Sequence, residues 1–126
     1  MNKEDIINTL NKYNLDSHKY IVLSGAAMVM LGIKDKTHDI DISVTPDYYE
    51  YLKENYDCKI EWYNGNNTVY FIDDIINFGL NYYNEDHLIV EGIPVQKEED
   101  IIKIKQIFNR EKDIEDIKLI KKYMGD

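Results

Sequence analysis

Apolar residues recur with two different periods along this chain, and the two periods predict alternating helices and strands. Helical spacing of Ile6 and Leu10 predicts a helix over residues 3–13. A short β-branched run at Lys19–Gly25 predicts a strand that ends in a turn of small residues. The segment that follows, AAMVMLG, contains good helix formers and predicts a short helix that Gly32 ends.

The next predicted strand, HDIDISV, is unusual because it carries two aspartates in an apolar run. Asp39 and Asp41 stand on either side of Ile40. Side chains alternate between the two faces of a strand, so both carboxylates are predicted to share one face. Two anions held side by side repel each other. This position therefore requires groups that compensate the charge.

The rest of the chain continues the alternation of helices and strands. A cap residue before Pro46 predicts a helix that ends near Tyr56. The runs KIEWY and TVYFI flank Asn64–Asn67 and predict a hairpin, and INFGLNYY and HLIVEGIPVQ predict further short strands or edge segments. Two helices are predicted from Glu98 onward. We expect a single α/β domain over residues 1–126, with a mixed sheet flanked by helices and the C-terminal helices beside its cleft.

The charge of the chain is strongly acidic and unevenly distributed. The formal net charge is −9. Residues 101–126 hold seven basic and five acidic side chains, so the excess of acid lies in the first hundred residues. Such a body is a poor candidate for loose electrostatic binding to nucleic acid, and no DNA partner is expected. No apolar run is long enough to span a membrane and no signal peptide is recognisable, so the cytoplasm is the expected location.

The turn at Ser24–Gly25 and the two aspartates together predict chemistry on phosphates. Backbone N–H groups at the start of a helix attract anions, and the small side chains there allow a triphosphate to approach closely. Paired carboxylates are plausible ligands for Mg²⁺, which also takes oxygens from substrate phosphates. Each part alone is also typical of an ordinary tight turn or strand end. Their occurrence together favours phosphoryl transfer.

These residues resemble the signature of the nucleotidyltransferase superfamily, which has a polymerase-beta-like fold. Leu23-Ser24-Gly25 is followed after thirteen residues by Asp39-Ile40-Asp41-Ile42, with Ser24 in the place of the first glycine. A second block, KIKQIFNREKDIEDI, is similar to the lysine helix and the Arg-x-Lys-Asp-x-x-Asp motif of the minimal, AbiEii-type, toxin-like branch. On that motif fall Lys105, Arg110, Lys112, Asp113 and Asp116.

The resemblance implies a metal-dependent enzyme that moves a nucleoside monophosphate from an NTP to a hydroxyl of RNA, protein or a small molecule. It implies Mg²⁺ or Mn²⁺ on Asp39 and Asp41. It also implies a role in toxicity or phage defence and an antitoxin-like protein partner. The alternative is a catalytically idle fold that binds nucleotide or protein. The nucleotide-binding residues implied are Ser24, Gly25, Lys105 and Arg110.

The identity of a third catalytic carboxylate stays open in the sequence. Enzymes of this superfamily use one on a later strand, where the best alignment places Asn77, a neutral side chain that cannot act as a base. Asp74 and Asp113 are the two candidates to replace it. If neither does, the site is degenerate.

Several tyrosines allow two interpretations. They either stack on a nucleobase or cover a small core, and the second interpretation needs fewer assumptions. The tyrosines concerned are Tyr48, Tyr49, Tyr51, Tyr82 and Tyr83.

Overall fold

A computed structural model of the chain describes residues 1–80 and 86–125. Within these residues the chain forms a seven-stranded sheet and five α-helices. The helices are α1 (Lys3–Lys12), α2 (Ser24–Met30), α3 (Pro46–Asn55), α4 (Glu98–Phe108) and α5 (Glu111–Met124). The strands are β1 (Tyr20–Leu23), β2 (Ile40–Val44), β3 (Cys58–Trp62), β4 (Val69–Ile72), β5 (Ile76–Leu80), β6 (Leu88–Val90) and β7 (Ile93–Val95).

The sheet is mixed, as the sequence predicts. Its strand order is β3-β4-β5-β2-β1-β7-β6. The central strand β2 runs parallel to β5 and antiparallel to β1, and β1 runs parallel to β7. Antiparallel hairpins, β3-β4-β5 on one side and β6-β7 on the other, complete the sheet. The expected α/β class with helices around a mixed sheet is confirmed.

Alternation along the strands gives the sheet two chemically different faces. On one, the helix face, Val22, Ile42 and Phe78 join buried residues of the helices in one core. Tyr49 of α3 packs its ring against Phe78 there, with the ring centroids 5.8 Å apart. The other, the carboxylate face, presents Asp41 and the residues in register with it on the neighbouring strands.

The two C-terminal helices pack against each other, and they reach the core through Ile101 and Ile102 of α4 and Ile120 of α5. Asn109 joins them in the left-handed conformation, with φ +49°. The Asp113 side chain accepts a hydrogen bond from the Arg110 N–H and thereby caps the start of α5. A short connection of this kind fixes the two helices as a hairpin.

Several element boundaries differ from the sequence prediction. The strand expected over 38–44 starts only at Ile40, so Asp39 precedes it. The run HLIVEGIPVQ is a hairpin, β6-β7, because Glu91 and Gly92 both adopt positive φ, as a two-residue turn requires. The helix α2 starts at Ser24, directly after β1. The end of INFGLNYY, including Tyr82 and Tyr83, lies outside the described residues.

Candidate active site

Asp39, Asp41 and Asn77 form one polar cluster at the centre of the carboxylate face. The parallel register of β2 with β5 places Asp41 opposite Asn77. The Asn77 amide nitrogen Nδ2 donates to Asp41 Oδ1 at 2.6 Å and to Asp39 Oδ2 at 3.3 Å. The two aspartates predicted from the sequence are thus brought together, and a single amide joins them.

The cluster holds negative charge in a poorly solvated place. Burial, and after it the negative charge of Asp39, raises the pKa of Asp41 to about 6. The hydrogen bond from Asn77 lowers the pKa of Asp41, and the positive charge of Lys105 lowers it by a smaller amount. The local compensation of the two carboxylates is therefore incomplete.

The donor set of this cluster fits a divalent cation. Asn77 is buried, and among the described residues nothing donates a hydrogen bond to its Oδ1 atom. In the described part of the chain, no group of three or more His, Cys, Asp or Glu side chains is arranged to hold a metal ion. Mg²⁺ commonly takes only one or two carboxylates and completes its shell with water and substrate phosphates, so Asp39 and Asp41 suffice.

The start of α2 lies beside the two aspartates because Leu23 of β1 pairs with Asp41 of β2. The Ser24 N–H already donates to Gln96 Oε1 at 3.0 Å. A Cβ on Gly25 would lie 3.1 Å from Thr37 Oγ1, so glycine there allows the chain before Asp39 to approach α2. Gly25 therefore has a packing role that the sequence did not reveal.

Lys105 is buried and points into the space between α4 and α5. Its Nζ lies 3.0 Å from Asp116 Oδ2 and 3.5 Å from Asp113 Oδ1. Asp116 also pairs with Lys34 at 3.0 Å. The positive charge of Lys105 lowers the pKa of Asp41, so the lysine acts electrostatically on the polar cluster as well as on α5.

Arg110 and Asp113 form a two-pronged ion pair at the start of α5. The guanidinium Nε and Nη2 atoms lie 2.6 and 3.1 Å from the two carboxylate oxygens. This hydrogen-bonded pairing lowers the pKa of Asp113 to about 2. Asp113 is fully buried with Lys105 and Asp116, whereas Arg110 pairs with it from the protein surface.

Comparison with solved structures finds two similar ones, both of the aminoglycoside nucleotidyltransferase ANT(2'')-Ia. The solution structure of this antibiotic-resistance factor aligns with 96% of the present chain and 81% of its own, with TM-score 0.63 and 16% identity. The crystal structure of its complex with adenylyl-2''-tobramycin aligns with 94% and 85%, with TM-score 0.61 and 15% identity. The chain has a nucleotidyltransferase-like fold. No protein-family profile and no curated protein matches the sequence.

Asp74, a candidate for the third carboxylate of the nucleotidyltransferase-like fold, lies in the turn between β4 and β5. It is exposed and has φ +56°. The neighbouring Asp73 accepts a hydrogen bond from the Tyr13 hydroxyl. Ile40 N–H donates to Ile75 O at 2.8 Å, so this turn lies near the start of β2. The position predicted from the family pattern is occupied by Asn77.

Glu61 is a residue of the site that sequence reasoning missed. Its charge raises the pKa of Asp41, and the charge of Asp39 in turn raises that of Glu61 after the larger effect of burial. Alternation within KIEWY predicts Lys59 and Glu61 on the same face, but the register shift between Ile60 and Trp62 interrupts that alternation in the structure. The strand order that brings this face to Asp41 depends on pairings that no local pattern reveals.

The described tyrosines that were considered for base stacking belong mainly to the helix face. Tyr48 and Tyr49 are buried in the core, and Tyr51 stacks on Tyr48 with its ring half exposed. A cavity of about 360 Å³ lies at the other end of β1 and is lined by His18, Ile21 and Pro94 among others. It contains none of the predicted site residues.

Proposed function

We propose that this chain is a metal-dependent nucleotidyltransferase that moves a nucleoside monophosphate from an NTP to a hydroxyl acceptor. The observation that carries the proposal is the Asp39–Asn77–Asp41 cluster, with its two incompletely compensated carboxylates at the centre of a nucleotidyltransferase-like fold. A divalent cation, when bound there, offsets the charge that develops on the transferring phosphoryl group.

The residues of the chain take distinct parts in the proposed reaction. Asp39 and Asp41 hold the cation, while Asn77 fixes the orientation of both carboxylates through its Nδ2 atom. The triphosphate is placed near Ser24 and Gly25 because the pairing of β1 with β2 sets this segment beside the aspartates. Lys105 adds positive charge that acts on Asp41.

A small hydroxyl compound is the acceptor favoured here. The acidic body of the chain disfavours RNA, and the similar ANT(2'')-Ia structure contains an adenylylated aminoglycoside. An acidic cleft attracts cationic acceptors of this kind. RNA and protein acceptors, a role in toxicity or phage defence, and an antitoxin-like partner are alternatives that rest on the sequence resemblance.

A second candidate function is nucleotide or partner binding without chemistry. The observation that favours it is Asn77, which occupies the position of the third carboxylate and is neutral. In this case the cluster still binds a cation and an NTP, but no group at that position takes the acceptor proton.

Transfer of label from α-labelled NTPs distinguishes the two functions. Each of the four NTPs is incubated with Mg²⁺ or Mn²⁺ and with tobramycin, total RNA or total protein. Label that appears on an acceptor with the wild type and disappears with Asp39→Asn supports the enzyme. Binding of NTP without labelling of any acceptor supports the idle fold. The exposed Asp35→Asn variant is the matched control and should behave as the wild type.

A further inference from the structure

A β-bulge in β3 determines which face of the sheet Trp62 occupies. Ile60 pairs with Tyr70 of β4, whereas Trp62 pairs with Val69. Glu61 is thus an extra residue of β3 without a partner on β4, which makes this irregularity a bulge. Residues directly opposite each other in an antiparallel pair share a face of the sheet. The face of Trp62 therefore follows from that of Val69 and not from alternation along β3.

Val69 lies on the carboxylate face, and Trp62 lies there with it. Phe71 of β4 is opposite Asn77 of β5, and Val69, two residues from Phe71, points to the same side of the strand. A second observation agrees with this direction. A Cβ on Gly79, two residues after Asn77, would lie 3.4 Å from Val69 Cγ2.

These side chains make an apolar shelf that leads from the polar cluster to the margin of the sheet. The shelf consists of Gly79, Val69, Phe71 and Trp62. It begins beside Asn77, passes over half-buried residues of β4 and ends at Trp62, which is 58% exposed. Neighbouring strands lie about 4.8 Å apart, so the three steps from β2 to β3 cover about 14 Å. A compound of several rings can bridge this distance.

The charges around the shelf favour a cationic ligand. The face of an indole ring attracts cations more strongly than the ring of Tyr or Phe does. Asp39 and Asp41 lie at the inner end of the shelf. At the outer end Glu61 is exposed and adjoins Trp62 in the chain. Lys59 of β3 adds one positive charge, which these carboxylates outnumber.

The shelf lies on the side of the cluster from which an acceptor approaches. The triphosphate is placed above near Ser24 and Gly25, which follow β1, and β1 and β5 flank β2 on opposite sides. The attacking and leaving oxygens of phosphoryl transfer lie roughly in line across the phosphorus. Pyrophosphate that leaves on the side of β1 therefore requires attack from the side of β5, where the shelf begins.

We propose that Trp62 binds the acceptor, a ring compound that carries ammonium groups as well as the reacting hydroxyl. This role rests on the nucleotidyl transfer proposed above. One ring of the acceptor lies on the indole of Trp62, and its ammonium groups are attracted by the π-system. The rest of the compound follows the shelf inward and presents its hydroxyl to the α-phosphate beside Asp41.

The fluorescence of Trp62 tests this proposal directly, because the sequence contains one tryptophan. The wild type is saturated with the α,β-methylene analogue of each NTP in Mg²⁺, and tobramycin is then added. The emission of Trp62 should change on addition of tobramycin, since the acceptor shields the ring from water. The analogues alone should leave the emission unchanged.

Substitutions at position 62 separate binding of the acceptor from binding of the nucleotide. Trp62→Leu removes the ring and stays apolar, and Trp62→Phe keeps a smaller ring. By calorimetry, the Kd of tobramycin is expected to rise about tenfold in Trp62→Leu and by less in Trp62→Phe, with analogue Kd unchanged within about threefold. Tyr63→Leu is the matched control, because Tyr63 is a neighbouring exposed aromatic residue that lies beyond the end of β3. It should bind tobramycin as the wild type does.

The other outcomes contradict the proposal in distinguishable ways. Unchanged affinity for tobramycin in Trp62→Leu removes Trp62 from the acceptor site and leaves the proposed function intact. A loss of affinity for the analogues alone shows that Trp62 stacks on the nucleobase instead. Labelling of total RNA or protein by a wild type that does not bind tobramycin excludes the cationic ring acceptor. Binding of the analogues without labelling of any acceptor overturns the proposed function, and the acceptor role of Trp62 with it.

Discussion

At the scale of single residues, the polar cluster holds two carboxylates in an arrangement that costs stability when no cation is bound. Asp41 is held beside Asp39 in a poorly solvated place, and one amide nitrogen serves both carboxylates. A folded protein gains nothing from such an arrangement unless a ligand offsets the charge, because burial penalises the ionised form. This cost leads to two predictions.

Replacing Asp41 by asparagine is expected to stabilise the metal-free protein at pH 7. Since the folded-state pKa of Asp41 is raised to about 6 from 3.8, its contribution to stability is present below pH 3.8 and is lost as the pH rises through 6. Asp41→Asn removes that loss and should raise the free energy of unfolding by about 1–3 kcal/mol at pH 7. Urea unfolding in EDTA measures this free energy. The difference between Asp41→Asn and the wild type should be smaller at pH 4 than at pH 7.

Restoring a carboxylate at position 77 should strengthen cation binding. Asn77→Asp places a third negative charge opposite Asp41, so the affinity for Mn²⁺ is expected to rise about tenfold or more. The same charge should lower the free energy of unfolding without metal by about 1–3 kcal/mol. Calorimetric titration and urea unfolding follow the two effects. Asn8→Asp, on the exposed side of α1, is the control, and equal Mn²⁺ affinity in both variants would contradict the placement of the cation.

Sequence patterns predicted that Asp39 and Asp41 lie close together, but they did not predict which other residues act on them. The alternation around Ile40 is local, so the shared face of Asp39 and Asp41 follows from a few adjacent residues. The contacts from Asn77 and the approach of Glu61 depend on the order β3-β4-β5-β2, which joins segments far apart in the chain. Local periodicity contains no information on such pairings.

At the scale of elements, buried charges join α4 to α5. Lys105 of α4 meets Asp113 and Asp116 of α5, and all three side chains are buried. The sequence predicted both helices, but no local pattern indicated that these three side chains would be buried together. The periodic apolar residues that signalled the helices give no account of ion pairs between them.

Removing one partner of this network should destabilise the protein strongly. Lys105→Met leaves Asp113 and Asp116 buried with fewer cations, although Arg110 and Lys34 remain, so the expected loss is about 3 kcal/mol. Lys103→Met on the same helix removes an exposed pair with Asp100 and should cost less than about 0.5 kcal/mol. Urea unfolding at pH 7 compares them. Similar losses of unfolding free energy in both variants would show that the buried ion pairs stabilise the protein no more than the exposed pair does.

The ion pair at the start of α5 should also account for part of the loss of folding stability at low pH. Arg110 lowers the pKa of Asp113 to about 2 from 3.8, so its contribution to stability is present above pH 3.8 and is lost as the pH falls through 2. Its size at neutral pH is about 2 kcal/mol. Urea unfolding between pH 2 and 7 should show a flatter acid limb for Arg110→Met than for the wild type.

At the scale of the whole molecule, an acidic body surrounds the site that is proposed above to bind a triphosphate. The helices within the described ranges include none that is long and apolar enough to cross a bilayer. The net charge of −9 repels phosphates in general, so the proposed recognition of a triphosphate requires a cation at Asp39 and Asp41. Nucleotide without cation is therefore expected to bind weakly.

This dependence predicts a thermal shift that needs both ligands. A non-hydrolysable NTP with Mn²⁺, at about 100 times its Kd, should stabilise the fold by about 2.7 kcal/mol and raise Tm by several degrees. Either ligand alone should raise Tm less, and the Asp39→Asn/Asp41→Asn double variant should show no joint effect. Calorimetry follows the transition. An equal shift from the nucleotide in EDTA would contradict this dependence.

The bulge in β3 has a consequence for association between molecules. This strand forms one margin of the sheet, where unpaired backbone groups invite another chain to add a strand. The extra residue breaks the regular spacing of those groups, and the charged side chains of Lys59 and Glu61 resist burial under an incoming strand. This local distortion thus protects the molecule against open-ended polymerisation through its sheet.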